Sequence, residues 1–241
     1  MKMLLAVLLL ISLSGIAQEK NVVNAQRVFP KIDKIAEFEK ALAAHAQKYH
    51  TGDWKWRVFE IQSGPDYGGY HIGEGPTTWD QIDSRGDLGK EHMNDWNKNV
   101  TIYLTDRGSS SYGIYREDLS TIQLTEYTDK IAITHVYPLV AYGDKIEELL
   151  KKAKKAWENG NQTVAVYEVS SSGPAQYMLV NRYKQGLKER NKNFRKPMKE
   201  RFNAANGEDS YDAYLDGIRK YTERTWSELL FFRADLSSSL K

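Results

Sequence analysis

Apolar and polar positions along the chain follow two periods. Segment 24–29 is rich in β-formers and stops at Pro30. Across 31–49, Ile35, Phe38, Leu42, Ala46 and Tyr49 recur at helical spacing with Lys and Glu opposite, which predicts an amphipathic helix. Segment 54–61 predicts a strand, closed by the turn signal Ser63-Gly64-Pro65. A third strand is predicted over 67–72, a weaker helix over 87–106 and a fourth strand over 111–116. The second half predicts the same order: a strand over 131–137, a helix over 143–158 (Ile146, Leu149, Leu150, Ala153, Trp157), strands over 163–169 and 176–180, a helix over 209–225 and a strand over 229–233.

The two halves also share residues. Val28-Phe29-Pro30 matches Val136-Tyr137-Pro138, and at the same offset Val58-Phe59-Glu60 matches Val166-Tyr167-Glu168. Ser63-Gly64-Pro65 matches Ser172-Gly173-Pro174 one inserted residue later. Thr105-Asp106-Arg107 then matches Thr222-Glu223-Arg224, and Tyr115-Arg116-Glu117-Asp118-Leu119-Ser120 matches Phe232-Arg233-Ala234-Asp235-Leu236-Ser237. Such matches in one order, at a domain-sized period, point to a tandem duplication. The expected boundaries are a leader over 1–17, a first copy over 18–125 and a second over 126–241.

The order β-α-β-β-α-β, twice, is that of the ferredoxin-like unit. Each unit makes a four-stranded antiparallel sheet with both helices on one face. The bare face must be buried, at about 25 cal/mol per Å² of apolar surface removed from water. The expected fold is therefore α+β, with the two antiparallel sheets packed face to face and the helices outside. In element order and duplication, over roughly 22–237, the chain resembles the dimeric α/β-barrel superfamily in a fused form, and its exported bacterial members in particular. That resemblance implies cofactor-independent monooxygenases, small-ring isomerases, haem enzymes of the chlorite-dismutase and dye-peroxidase type, or binding proteins, and it carries no catalytic motif with it.

Charge and composition narrow the partners. Lys2, the apolar run from Met3 to Leu13, and Gly15 and Ala17 before Gln18 form a secretory leader with a cleavage site. The run is shorter than the roughly 20 residues that span a bilayer, so no membrane attachment is expected after cleavage. There is no cysteine, which excludes disulfides, thiolate metal sites and lipid attachment at the new N-terminus. With the leader, this points to a periplasmic or secreted bacterial protein. The 34 basic and 32 acidic residues nearly balance, so nucleic acid is not an expected partner. Segment 184–201 carries the local basic excess and is expected to be a solvated helix and loop, the alternative being an anion-attracting arm or lid over a pocket. Self-association is left open.

No metal motif is evident. The five histidines show no ligand spacing, and His45 and His50, five apart, fall off one helix face. No metal site and no cofactor are expected, with haem left open by the resemblance. The glycines 68, 69, 73 and 75 lack the Lys-Ser/Thr of a phosphate loop and are expected to mark bends. Comparing the copies offers a filter. Arg116 with Arg233, Glu60 with Glu168, and Arg27 with His135 are matched polar positions, either a structural Glu–Arg pair or the wall of a polar cavity. Features of one copy only are His45, facing Ala153 in the other copy, His71, and Trp54 with Trp56 on one predicted strand face.

The expected function is an exported small-molecule-binding protein with its pocket between helix and sheet of the first copy. Trp54, Trp56, Arg27, Glu60 and Arg116 are its candidate ligand-binding residues. One alternative is a cofactor-independent oxygenase or isomerase, or a haem variant, acting on an aromatic or quinonoid molecule with His71 or His45 as base. Another is an interaction module without ligand.

Overall fold

The structure, a computed structural model, describes residues 19–239 except 86, 87 and 171; the segment 1–17 expected to be a leader lies outside them. The first half contributes β1 (Val22–Pro30), α1 (Ile35–Tyr49), β2 (Trp56–Ile61), β3 (Tyr70–Thr77), α2 (Trp79–Ser84), α3 (Lys90–Asp95) and β4 (Leu104–Tyr115). The second contributes β5 (Lys130–Pro138), α4 (Gly143–Asn159), β6 (Val164–Ser170), β7 (Gln176–Arg182), α5 (Met198–Asn206), α6 (Ser210–Tyr221) and β8 (Thr222–Phe232). Among the described residues no helix is long and apolar enough to cross a membrane.

All eight strands close into one antiparallel barrel in the order β1-β3-β2-β8-β5-β7-β6-β4. Each half lays its strands down in the same order, its last strand beside its first and its second strand at the far edge. The expectation of two sheets face to face is thereby sharpened, because their edges are hydrogen-bonded to each other. Phe59, Glu60 and Ile61 pair with Phe232, Phe231 and Leu230 at one seam. Residues Tyr112 to Tyr115 pair with β6 at the other. Among the described residues, closure leaves no bare edge in this sheet.

Period-two alternation sorts each strand between two cores. Inward residues such as Phe59, Ile61, Ile131, Ile133, Tyr167, Met178 and Leu230 fill the barrel. Outward residues of the first half, Val28, Val58, Tyr70 and Ile72, meet Phe38, Leu42 and Ala46 of α1. In the second half Ile146, Leu150, Ala153 and Trp157 of α4 pack with Val164, Val166 and Phe202.

The matched polar residues make the seams. Arg116 of the first half binds Glu168 and Glu147 of the second, at 2.8 and 2.9 Å. Arg233 of the second half binds Glu39 and Glu60 of the first, at 2.6 and 3.2 Å. The hydrogen bonds it donates to Asp118, Glu147 and Glu168 raise the Arg116 guanidinium, and those donated to Asp235 and Glu39 raise that of Arg233. The turns that follow continue the clamp. The Oγ of Ser120 accepts the Val166 N–H at 2.9 Å, and that of Ser237 accepts the Val58 N–H at 2.9 Å. Leu119 and Leu236 are buried beneath them.

Several boundaries differ from expectation. The helix expected over 87–106 is only α3, followed by a π-helical turn at Trp96–Val100 and a 3-10 turn at Thr101–Tyr103. β4 then starts at Leu104, not 111, because pairing with β1 carries a polar, exposed stretch into the sheet. β8 begins at Thr222 for the same reason, truncating the helix expected to run to 225. β3 runs on through Gly73 and Gly75, and the bend expected of these glycines falls at Gly75, where the register with β1 shifts. α2 was not expected; its Thr78 and Gln81 form a capping box. Segment 184–201 is exposed over most of its length, as expected, and is tied down at two points: Arg195 pairs with Glu189, and Arg201 is buried, donating to the carbonyls of Lys196 and Ala156.

Candidate functional site

Two places collect chemistry, on opposite sides of the β2–β3 sheet. The first is the barrel interior. One end is sealed by charge: Arg27 of β1 binds Glu228 of β8 through both guanidinium nitrogens and Asp66 at 2.6 Å, and His135 of β5 meets Glu228 at 2.9 Å. Trp226 stacks on His135 at 3.8 Å between ring centroids. Burial alone would raise the Glu228 carboxyl, but the bonds from Arg27 and His135 outweigh it and hold it at about 2. Below this network lies a partly open cavity of about 90 Å³ with predominantly apolar walls. That is of the order of the ~150 Å³ void that admits a benzene ring.

Three glycines, Gly73, Gly75 and Gly113, line the cavity. At Gly75, φ is +121° and a Cβ would lie 2.9 Å from the Val22 carbonyl, so only glycine fits. At Gly73 a Cβ would meet nothing nearer than 3.9 Å, so that position opens on the void. His71 lines it from β3. Burial, with Arg27 nearby, pushes its imidazole down to about 3, and its Nδ1 is buried without a hydrogen-bond partner. At the other end the guanidinium of Arg57 stacks 3.5 Å from the ring centroid of Tyr127, in the connection between the halves. Arg182 donates to the carbonyls of Gln123, Leu124 and Glu126 and to the Tyr167 hydroxyl. Among the described residues Arg57 makes no ion pair.

The second place lies under α1, on the outer face. The helix ends at Tyr49, and His50 takes φ −101°, ψ 77°. The chain turns out of the helix there, so the ring of His50 comes 5.3 Å from that of His45 between centroids. His92 of α3 joins them, 4.8 Å from His45 and 5.2 Å from His50. Nδ1 of His45 lies 2.7 Å from Asp95, and Nδ1 of His50 lies 3.1 Å from Glu74. Glu74, buried on β3, also accepts from Trp56 Nε1 at 2.8 Å and from Arg85 at 3.1 Å. Burial lowers all three imidazoles, against the pull of Asp95 on His45 and of Glu74 on His50. One ring nitrogen from each histidine falls within 4.8 Å of the others, so these residues could hold a metal ion.

The residues singled out from the sequence are thus divided. His45 and Trp56 meet in the outer cluster, 5.5 Å apart between ring centroids. His71 does not join them, because its neighbours Tyr70 and Ile72 take the outer face and parity turns it inward. Trp54 is not on a strand face; it belongs to a 3-10 turn, with Arg85 over its ring at 4.6 Å. Glu60 and Arg116 are seam clamps outside the barrel, and Arg27 is held by Glu228 and Asp66, so none of the three lines the cavity. The cavity draws on both halves, not mainly on the first, since each sheet supplies one wall. Between α1 and the sheet the rings of His45, His50, Trp56 and Trp96 pack at 3.5 to 5.8 Å, which leaves no slot for a haem macrocycle. His50 and His92 were missed because a linear spacing rule assumes that one helix carries both ligands.

No family model and no curated protein matches the chain. Solved structures do. A putative monooxygenase from Lactobacillus acidophilus superposes with a TM-score of 0.54 at 10% identity, covering 92% of this chain and 97% of that one. An anthrone oxidase-like protein gives 0.52 at 10% identity, over 89% and 92%. A chlorite dismutase from Candidatus Nitrospira defluvii gives 0.53 at 6% identity, over 91% and 94%. At such identities the likeness establishes the fold alone. The fold, an eight-stranded antiparallel barrel with its helices outside, is that of the dimeric α/β-barrel proteins.

Proposed function

We propose that the chain is an exported small-molecule-binding protein, built from two tandem copies of one unit and released after cleavage behind Ala17. Its ligand occupies the barrel cavity. The observation that carries this reading is an apolar void inside the barrel, left open at Gly73 where a packed core would place a side chain. The wall asks for a small, flat, largely apolar body. His71 offers one hydrogen bond, and Arg57, which has no carboxylate of its own among the described residues, favours an acidic group at the Tyr127 end.

A second reading, an oxygenase- or isomerase-like enzyme, is favoured by the descriptions of the solved structures that share the fold. It would use His71 as base. An imidazole held at about 3 is unprotonated at neutral pH but is a weak proton acceptor, so binding is the better account. Calorimetry with phenol, indole and benzoate tests the cavity, and unchanged probe recovered after incubation in air speaks for binding over turnover. Binding of at least one probe to the wild type, lost in Gly73→Val with the fold intact by circular dichroism, supports the cavity. Failure of all three, with xenon-pressurised crystals showing an empty barrel, overturns it.

A further inference from the structure

The three histidines under α1 do not belong to the cavity, and their arrangement has its own logic. Asp95 and Glu74 can only accept, so Nδ1 of His45 and of His50 each carries the proton. Their Nε2 atoms then carry bare lone pairs. Nε2 of His45 is buried with no partner, in a residue 1% exposed, and Nδ1 of His92 has none either. An unsatisfied buried nitrogen costs about 1–3 kcal/mol. Nε2 of His50 lies 3.3 Å from Nε2 of His92. Two nitrogens held at about 2.05 Å by one tetrahedral ion lie about 3.3 Å apart.

We propose that His45, His50 and His92 bind a single divalent transition-metal ion, of the class Zn(II), Co(II), Ni(II) or Cu(II), through three imidazole nitrogens. Neutral imidazoles select these ions over magnesium or calcium, which need oxygen ligands. The outer contacts are those of a built site. Asp95 orients His45 and is itself fixed by Asn99 at 2.8 Å, while Glu74 orients His50 and is fixed by Trp56 and Arg85. The two carboxylates supply countercharge. Three protein ligands leave a fourth position for an exchangeable ligand, and His92 is the least buried of the three. A coordination shell with one exchangeable position can activate water or bind an anion. The β2–β3 sheet separates this centre from the barrel cavity.

The test uses the untagged full chain, stripped with a chelator and dialysed. Titration with Co(II) is expected to give one equivalent bound and the visible d–d bands of a four-coordinate nitrogen site, displaced by Zn(II). Zn(II) is expected to raise the melting temperature of the wild type. His92→Ala, at a half-buried position, should keep the circular dichroism spectrum while losing both the bands and the Zn(II)-induced shift. Asp95→Asn should keep one equivalent at roughly 10–100-fold lower affinity. The proposal is overturned if the folded wild type gives no bands and binds no Zn(II), which would leave only a hydrogen bond between His92 and His50. It is equally overturned if His92→Ala binds as the wild type does.

Discussion

Glu228→Gln tests how the barrel tolerates the buried charge that seals one end. Glu228 is 2% exposed, and its carboxylate holds Arg27 and His135. Removing one member of a buried pair costs about 3–5 kcal/mol; Arg27 keeps Asp66, which places the expected loss near ~3 kcal/mol. A second route gives the same size. The carboxyl falls from an ordinary 4.5 to about 2 in the folded chain, and at 1.36 kcal/mol per unit this is ~3 kcal/mol of stability at neutral pH. Because the folded value is the lower one, that stability is complete above about pH 5. It drains as the pH falls through 4.5 towards 2. Urea unfolding at pH 7, 5 and 3 reads both effects. The wild type should lose stability steeply between pH 5 and 3, and the variant should start lower and show a shallower fall. A cost under ~1 kcal/mol at pH 7, or equal slopes in the two proteins, would refute the reasoning.

Other expectations follow from the seams and the cavity. Ser237→Ala leaves the buried Val58 N–H without its acceptor and should cost ~2 kcal/mol in urea melts; Ser120→Ala, which does the same to Val166, should match it. Arg233→Met removes ion pairs that are about a quarter exposed, so the loss should be only ~1 kcal/mol and should shrink in 1 M salt. His71→Leu should leave the melting temperature within a few degrees, because the imidazole is neutral with one nitrogen already unsatisfied; a large drop would mean that the ring holds a structural bond.

The fold could be read from the sequence because its signals are local and occur twice. Phe38, Leu42 and Ala46 spell out α1 at helical spacing, and the matched Val-aromatic-Pro segments mark where β1 and β5 end. The matched Arg and Glu positions announced a Glu–Arg pair, yet not that each arginine reaches across to the other half. That crossing depends on closure, which no local pattern records. The polar starts of β4 and β8 were hidden for a related reason, since neighbouring strands fix their backbone while their side chains face solvent. The chemistry was harder still. His45, His50 and His92 come from a helix, the residue that ends it and a separate short helix, so only the tertiary structure makes them neighbours. His71 could have been separated from His45 beforehand: Ile72 beside it faces the helix, so parity alone puts His71 on the other side of the sheet.

The reciprocal seams also govern what happens before the barrel exists. Until β2 meets β8 and β4 meets β6, each half presents two bare strand edges, and a second molecule carries the same complementary edges. The first half of one chain can then close on the second half of another through identical ladders, which makes exchanged dimers and longer concatemers the natural misassembly. The tether holds the halves at an effective concentration in the millimolar range. Ring closure within one chain therefore wins in dilute solution. Refolding at high protein concentration, or in a crowded inclusion body, should tip the same contacts towards exchange.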